Sequence, residues 1–350
     1  MSYIEFGCLP TIIGSMPHTD PKAACSQIFH YLKDIPAWPQ LPNRSFLENM
    51  YVQISEGFPG VVVIENKNEA SANKIYVDRS QNLTGPLEEF YTAYLENDVT
   101  KYPISPDHAA GLHTFLKLEN LSPRAVKGQI TGPVTWGLTV TDEERRAIIY
   151  DEVMGDAVAK LLRLKASWQE KKLSQISKNT IIFVDEPYMS AFGSVGFLLS
   201  KEKIVSLLEE VFSGISGLKG VHCCGNTDWS ILLGTSVDIL SFDAYNYAQS
   251  LSLYPAETKK FLDRGGTIAW GIIPNDEDSV AKESVSSLKD RLEEAMAPFT
   301  RKGIPFKQLI KQGLLTPSCG LVSLATEEMA AQVLELLAEL SIKIRKHYIT

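Results

Sequence analysis

Short runs of β-branched and apolar residues alternate with longer stretches of helical periodicity along most of this chain. That alternation predicts βαβ units feeding a parallel sheet. Strands are expected at residues 11–14, 125–130, 181–184, 220–222, 237–241, 267–270 and 314–317, with one more at either 37–41 or 61–65. Helical patterns occupy 21–33, 87–96, 107–119, 142–174, 201–212, 278–297 and 326–346. The last, TEEMAAQVLELLAELSIKIRK, is acidic in its first turn and cationic in its last, as the helix dipole prefers. An eightfold βα alternation points to an α/β fold, a single TIM (β/α)8 barrel over residues 1–350, ahead of an open doubly wound sheet. No G-x-G-x-x-G follows any expected strand, which weakens the dinucleotide-binding form of that alternative. Residues 58–79, FPGVVVIENKNEASANKIYVDR, alternate on both sides of a polar centre and read as a β-hairpin appended to the barrel.

Composition narrows the function classes. With 44% hydrophobic and 22% charged residues the chain has a globular composition, and no run reaches the ~18 apolar residues of a membrane span. The net charge of −8 argues against a nucleic-acid partner, since phosphate binding draws on a local excess of Lys and Arg. The N-terminus lacks a basic segment ahead of its apolar stretch, so a cytoplasmic location is expected. Five cysteines, an odd number in a long chain, favour free or ligating thiols over a disulfide framework.

The chemistry concentrates in HCCG at 222–225. At a strand end, residues i and i+2 point to the same side, so His222 and Cys224 can converge on one ion while Cys223 faces away. In a barrel, that C-terminal end is the catalytic face. There are no paired C-x-x-C or H-x-x-x-H clusters, so further ligands must come from distant strand ends. Asp243, ending VDILSFD, and Cys319, ahead of Gly320 in TPSCG, offer them. His222, Cys224, Asp243 and Cys319 would together form a mixed N/S/O set suited to zinc. Cys8 and Cys25 have no such neighbours, and adjacent thiols do not make a thioredoxin-type pair. A cobalamin-binding D-x-H-x-x-G would need an aspartate where Gly220 stands, so no corrinoid is expected on the chain's own histidine.

Five stretches in order, TIIGSMPHTDP at 11–21, QITGPVTWGL at 129–138, IIFVDEPYMS at 181–190, VHCCGNTD at 221–228 and TPSCGL at 316–321, carry a resemblance. The chain resembles the C-terminal barrel of cobalamin-independent methionine synthase, within the wider group of methylcobamide:coenzyme M methyltransferases and uroporphyrinogen decarboxylase. The resemblance implies a zinc site of His222, Cys224 and Cys319, with Asp243 where the synthase has a glutamate, and methyl transfer to the sulfur of homocysteine. It implies that Ser15 holds the homocysteine carboxylate and Asp185 its amino group; Gln40, Glu56 and Glu65 are all conceivable for a second group there. These 350 residues leave no space for the synthase's N-terminal barrel, so it is not expected here, and the synthase's histidine after strand 267–270 has no match, because AWGIIPNDED contains none. A folate donor needs its leaving nitrogen protonated, whereas a methyl-corrinoid does not, so a methylated corrinoid or corrinoid protein is the expected donor. His18 or His113 in the missing acid's place would keep folate open. Coenzyme M as acceptor, or a zinc-free decarboxylase of the uroporphyrinogen type, are the alternatives.

Overall fold

The structure is a computed structural model describing residues 5–66 and 69–349. Its centre is a curled parallel sheet built from β1 (Leu9–Pro10), β4 (Val126–Thr131), β6 (Thr180–Asp185), β7 (Leu218–Cys223), β8 (Ile239–Phe242), β9 (Thr267–Ile273) and β10 (Gly313–Pro317). These seven run in the order β1-β10-β9-β8-β7-β6-β4, with every neighbouring pair parallel. A small separate sheet joins β2 (Val61–Ile64), β3 (Lys74–Val77) and β5 (Thr141–Asp142).

The two candidates for the second strand thus have different fates. Residues 61–64 pair antiparallel with 74–77 as the expected hairpin, although positions 67 and 68 of its turn lie outside the described residues. Residues 37–40 instead span the gap between β1 and β4 through two isolated parallel bridges, Ser15 to Gln40 and Ala37 to Lys127. This closing segment reads IPAWPQLP, and a proline nitrogen has no proton to give a ladder. The amides that remain do the work: Gln40 N donates to Gly14 O and Trp38 N to Lys127 O, while Lys127 N donates to Pro36 O. The eighth position of the barrel is therefore filled without a regular strand.

The core has two layers. Outside the sheet, Trp38, Trp136, Trp229, Trp270 and the apolar faces of the surrounding helices form one continuous buried cluster. Inside, Leu9, Ile35, Ala125, Ile181, Phe183, Ile239, Ala269 and Leu314 plug the N-terminal end of the barrel. Successive residues on each strand alternate between these layers. Above the plug the inward positions turn polar.

Two helical expectations change. Residues 142–151 do not form the expected α-helix, because Asp142 accepts from the backbone N–H groups of Glu144 and Arg146 and from Arg146 Nε, which closes a turn, and only a 3-10 turn, Ile148–Tyr150, follows. The helix starts at Glu152, after Asp151 caps Val153 N and Met154 N. The pattern over 278–297 divides into Glu277–Val280 and Val285–Arg301, the second opened by a reciprocal cap between Ser284 and Ser287. The short helix Pro133–Thr139 has no counterpart among the expected elements. It is tied to the barrel by Glu186, fully buried, whose two oxygens accept from Val134 N at 2.9 Å and Thr135 N at 2.7 Å. Burial pushes the Glu186 carboxyl up to about 7, against the pull of these donors. Glu186→Ala would leave two buried amides without acceptors and should lower unfolding free energy by about 2–4 kcal/mol. Denaturant titration checks this; a loss within error of zero would remove Glu186 as the lock on that helix.

Candidate metal centre and its surroundings

The register of the strands sets the site. Thr131, Asp185 and His222 occupy one row across β4, β6 and β7, with Ser241 beside His222 on β8. In a parallel ladder paired residues project from the same face, so these side chains share the inner face at the C-terminal mouth.

Three ligating side chains converge there. The donor atoms of His222, Cys224 and Cys319 all lie within 4.8 Å of one another. His222 Nδ1 shares a 2.9 Å hydrogen bond with Ser241 Oγ, while its Nε2 is buried and has no protein partner. With Nδ1 as donor, Nε2 carries the free lone pair a cation needs. A buried nitrogen without a partner is costly in a folded protein unless something fills the place. One imidazole and two thiols are a borderline-soft donor set that fits a metal such as zinc.

The two thiols are electrically unequal. The neighbouring Cys319 thiol, opposed by burial and helped by His222, holds Cys224 down to about 4. The Cys224 sulfur in turn, then burial, pushes Cys319 well above the usual thiol range. Cys223, by contrast, turns outward into the shell between sheet and helices, and burial lifts it to about 12. Cys8 and Cys25 are buried elsewhere in that shell and are likewise pushed up to about 12.

Asp243 stands at the next strand end but outside the converging group. Its two oxygens accept from Asn246 N at 2.8 Å and Asn246 Nδ2 at 2.7 Å, capping helix Ala244–Ser252. Burial raises its carboxyl, while His222 nearby pulls the other way. Asp185 is in a different condition, for it is 7% exposed and its Oδ1 has no hydrogen-bond partner. Burial raises Asp185 to about 6, opposed by His222 and Lys127.

Ser15 sits beside Gly320, the residue after Cys319: Leu321 N donates to Ser15 O at 2.8 Å, and a Cβ on Gly320 would come within 2.0 Å of Ser15 Oγ. Any larger residue at 320 would have to displace that hydroxyl. Of the three residues considered for a second polar group, Gln40 bridges Ser15 on the barrel wall. Glu56 accepts from Ser105 N, and Glu65 from Ser45 and Phe46, both away from the strand row. His113 is committed to Ile104 O at 2.8 Å, and His18 is buried 3.7 Å from Glu327. Neither histidine belongs to the converging group.

Sequence reasoning overlooked Lys127 and Gln129. Lys127 is fully buried above the apolar plug, donating to Ile13 O at 2.6 Å and Gln129 Oε1 at 3.1 Å, with its ammonium 4.2 Å from the Phe183 ring centre. Burial holds it down to about 7. Gln129 Nε2 donates to Trp38 O, so the pair grips both sides of the seam. The signal was present as polar residues at every second position of KGQIT.

No family model matches the sequence, and no curated protein matches it. Among solved structures, a methyltransferase from Methanosarcina mazei superposes with a TM-score of 0.55 at 15% identity, covering 95% of this chain and 87% of that one. The GH113 beta-mannanase AaManA from Alicyclobacillus acidocaldarius gives 0.35 at 14% identity over 69% and 79%. The first likeness supports the TIM-barrel-like architecture. No helix among the described residues is long and apolar enough to cross a membrane.

Proposed function

We propose that this protein is a zinc-dependent methyltransferase that moves a methyl group onto the sulfur of homocysteine, yielding methionine, with a methylated corrinoid or corrinoid protein as donor. The observation that carries the reading is the convergence of His222, Cys224 and Cys319 around a buried imidazole nitrogen with no protein partner. The fold's likeness to a methyltransferase supports the reaction class.

Zinc held by His222, Cys224 and Cys319 would supply the Lewis acidity that keeps a substrate thiol deprotonated at neutral pH. The chain's own groups do the rest. Ser241 fixes the His222 ring so that Nε2 faces the site. Asp185 brings an acceptor oxygen with no partner, suited to an ammonium group, beside the converging donors. Ser15, next to Gly320, is the hydroxyl available to the carboxylate. An unpaired buried carboxylate favours an amino-thiol acceptor over a sulfonate such as coenzyme M, which it would repel. Asp243 joins the metal ligands if its carboxylate leaves the Asn246 cap. In the transfer, the thiol would lose its proton to solvent, its sulfur would attack the methyl carbon of the corrinoid substrate, and the carbon–cobalt bond would break with its electron pair left on the departing corrinoid. No nitrogen leaving group has to be protonated in such a transfer.

Anaerobic mixing of zinc-loaded protein with methylcobalamin and homocysteine should convert the cobalt spectrum to the cob(I)alamin form and yield methionine. Loss of the methyl group with coenzyme M but not homocysteine would replace the acceptor, and less than about one zinc per chain would overturn the reading in favour of a metal-free barrel. Zinc-edge absorption should gain a sulfur ligand when homocysteine is added. Asp185→Asn should raise the KM for homocysteine by about tenfold or more while leaving a thiol without an amino group nearly unaffected. Equal effects on both thiols would remove Asp185 from amino-group recognition.

A further inference from the structure

The three converging residues are not equally secured. His222 lies within β7 and is held by its strand neighbours and by Ser241. Cys224 directly follows that strand. Cys319 lies beyond the end of β10, after a register shift between Thr316 and Pro317, in a stretch with neither helix nor strand. A side chain in such a stretch owes its position to whatever ties down the backbone on either side.

One residue does so from both sides. Asn275, two residues past the end of β9, accepts from Ser318 Oγ at 2.9 Å through its Oδ1 and donates to Gly320 O at 3.1 Å through its Nδ2. Its own backbone oxygen takes a bond from Ser323 Oγ at 3.0 Å. The partners fix the orientation of the amide. Gly320 O can only accept, so the nitrogen must face it, and the oxygen is left for the Ser318 hydroxyl. Asn275 therefore spans Cys319, gripping the residue before it and the residue after it. Ser318 N adds a backbone bond to Ile273 O at 2.8 Å, so the whole attachment runs to the end of β9.

The geometry points to Asn275 as the positioning residue for the Cys319 thiolate, setting metal affinity without touching the metal. This rests on the metal reading of His222, Cys224 and Cys319. Aspartate at this position keeps the acceptor but repels Gly320 O, and alanine loses both contacts. Outer partners of metal ligands commonly contribute about 10–100-fold in affinity. The same clamp also links the two halves of the site, because Leu321 N bonds to Ser15 O just beyond Gly320.

Cobalt(II) serves as a spectroscopic probe for zinc, with chelator competition for affinity. Asn275→Ala and Asn275→Asp should bind zinc about 10–100-fold more weakly than the unaltered protein, with the metal-free forms still unfolding cooperatively. Sulfur-to-cobalt charge-transfer intensity should fall toward that of Cys319→Ser. Ser318→Ala, a milder change, should lie between. Unaltered protein that binds neither cobalt nor zinc would overturn the metal reading and the clamp together. Unaltered protein that binds, with affinity and charge-transfer intensity preserved in Asn275→Ala and Ser318→Ala, would overturn the clamp alone. If Asn275→Ala fails to fold, Ser318→Ala alone decides on the same two readouts.

Discussion

Closure of the parallel sheet is the constraint on which the rest depends. An open sheet of seven strands would leave β1 and β4 as edges and would hold Ser15 far from Asp185. The segment between them is too rich in proline to form a ladder, so closure relies on a few bonds of unusual kind. Backbone amides of Trp38, Gln40 and Lys127 supply part of it. The Lys127 ammonium, reaching Ile13 O, and the Gln129 amide, reaching Trp38 O, supply the remainder from inside the barrel. A buried ammonium is expensive unless its hydrogens are satisfied, and here a carbonyl, an amide oxygen and an aromatic face surround it.

That closure converts a list of strand ends into a pocket. The apolar plug at the N-terminal end pushes all polar inward positions toward the other mouth. There the burial that stabilises the barrel also leaves polar atoms without partners, His222 Nε2, Asp185 Oδ1 and Thr316 Oγ1 among them. Protein interiors satisfy nearly all such atoms, so several in one mouth mark a place built to receive something. The site is also electrically arranged: an imidazole and a lysine oppose the burial that raises the Asp185 carboxyl, while the two thiols are pushed in opposite directions. The neighbouring acid, Glu186, faces the opposite way and serves the fold. Adjacent carboxylates in D-E-P thus divide between chemistry and architecture, because alternate residues of a strand see different sides of the sheet.

Much of this was legible in the amino-acid order. Alternating strand and helix patterns gave the barrel and its hairpin, and helix Lys201–Phe212 appears with the expected bounds. Period-two alternation placed His222 and Cys224 on one side and Cys223 on the other. Local rules failed where side chains override periodicity. Asp142 captures backbone amides and replaces a helical turn, and Ser284 restarts a helix that the apolar pattern would have run through. Helix Pro133–Thr139 was invisible for a different reason: its lock, Glu186, lies about fifty positions away in the chain.

What the sequence by itself determined, then, was the repeat of strands, the orientation of each side chain about its own strand, and the residue types able to bind a cation. These depend on local geometry, which a short window of residues contains. Tertiary structure alone decided which strand ends meet. It brought Cys319 to Cys224, held Asp243 in a helix cap, put Asn275 across Cys319, and chose residues 37–40 over 61–64 to close the barrel. Each of these is a contact between segments distant in the chain, fixed by closure and register rather than by any local preference, so no reading of neighbours along the sequence contains it.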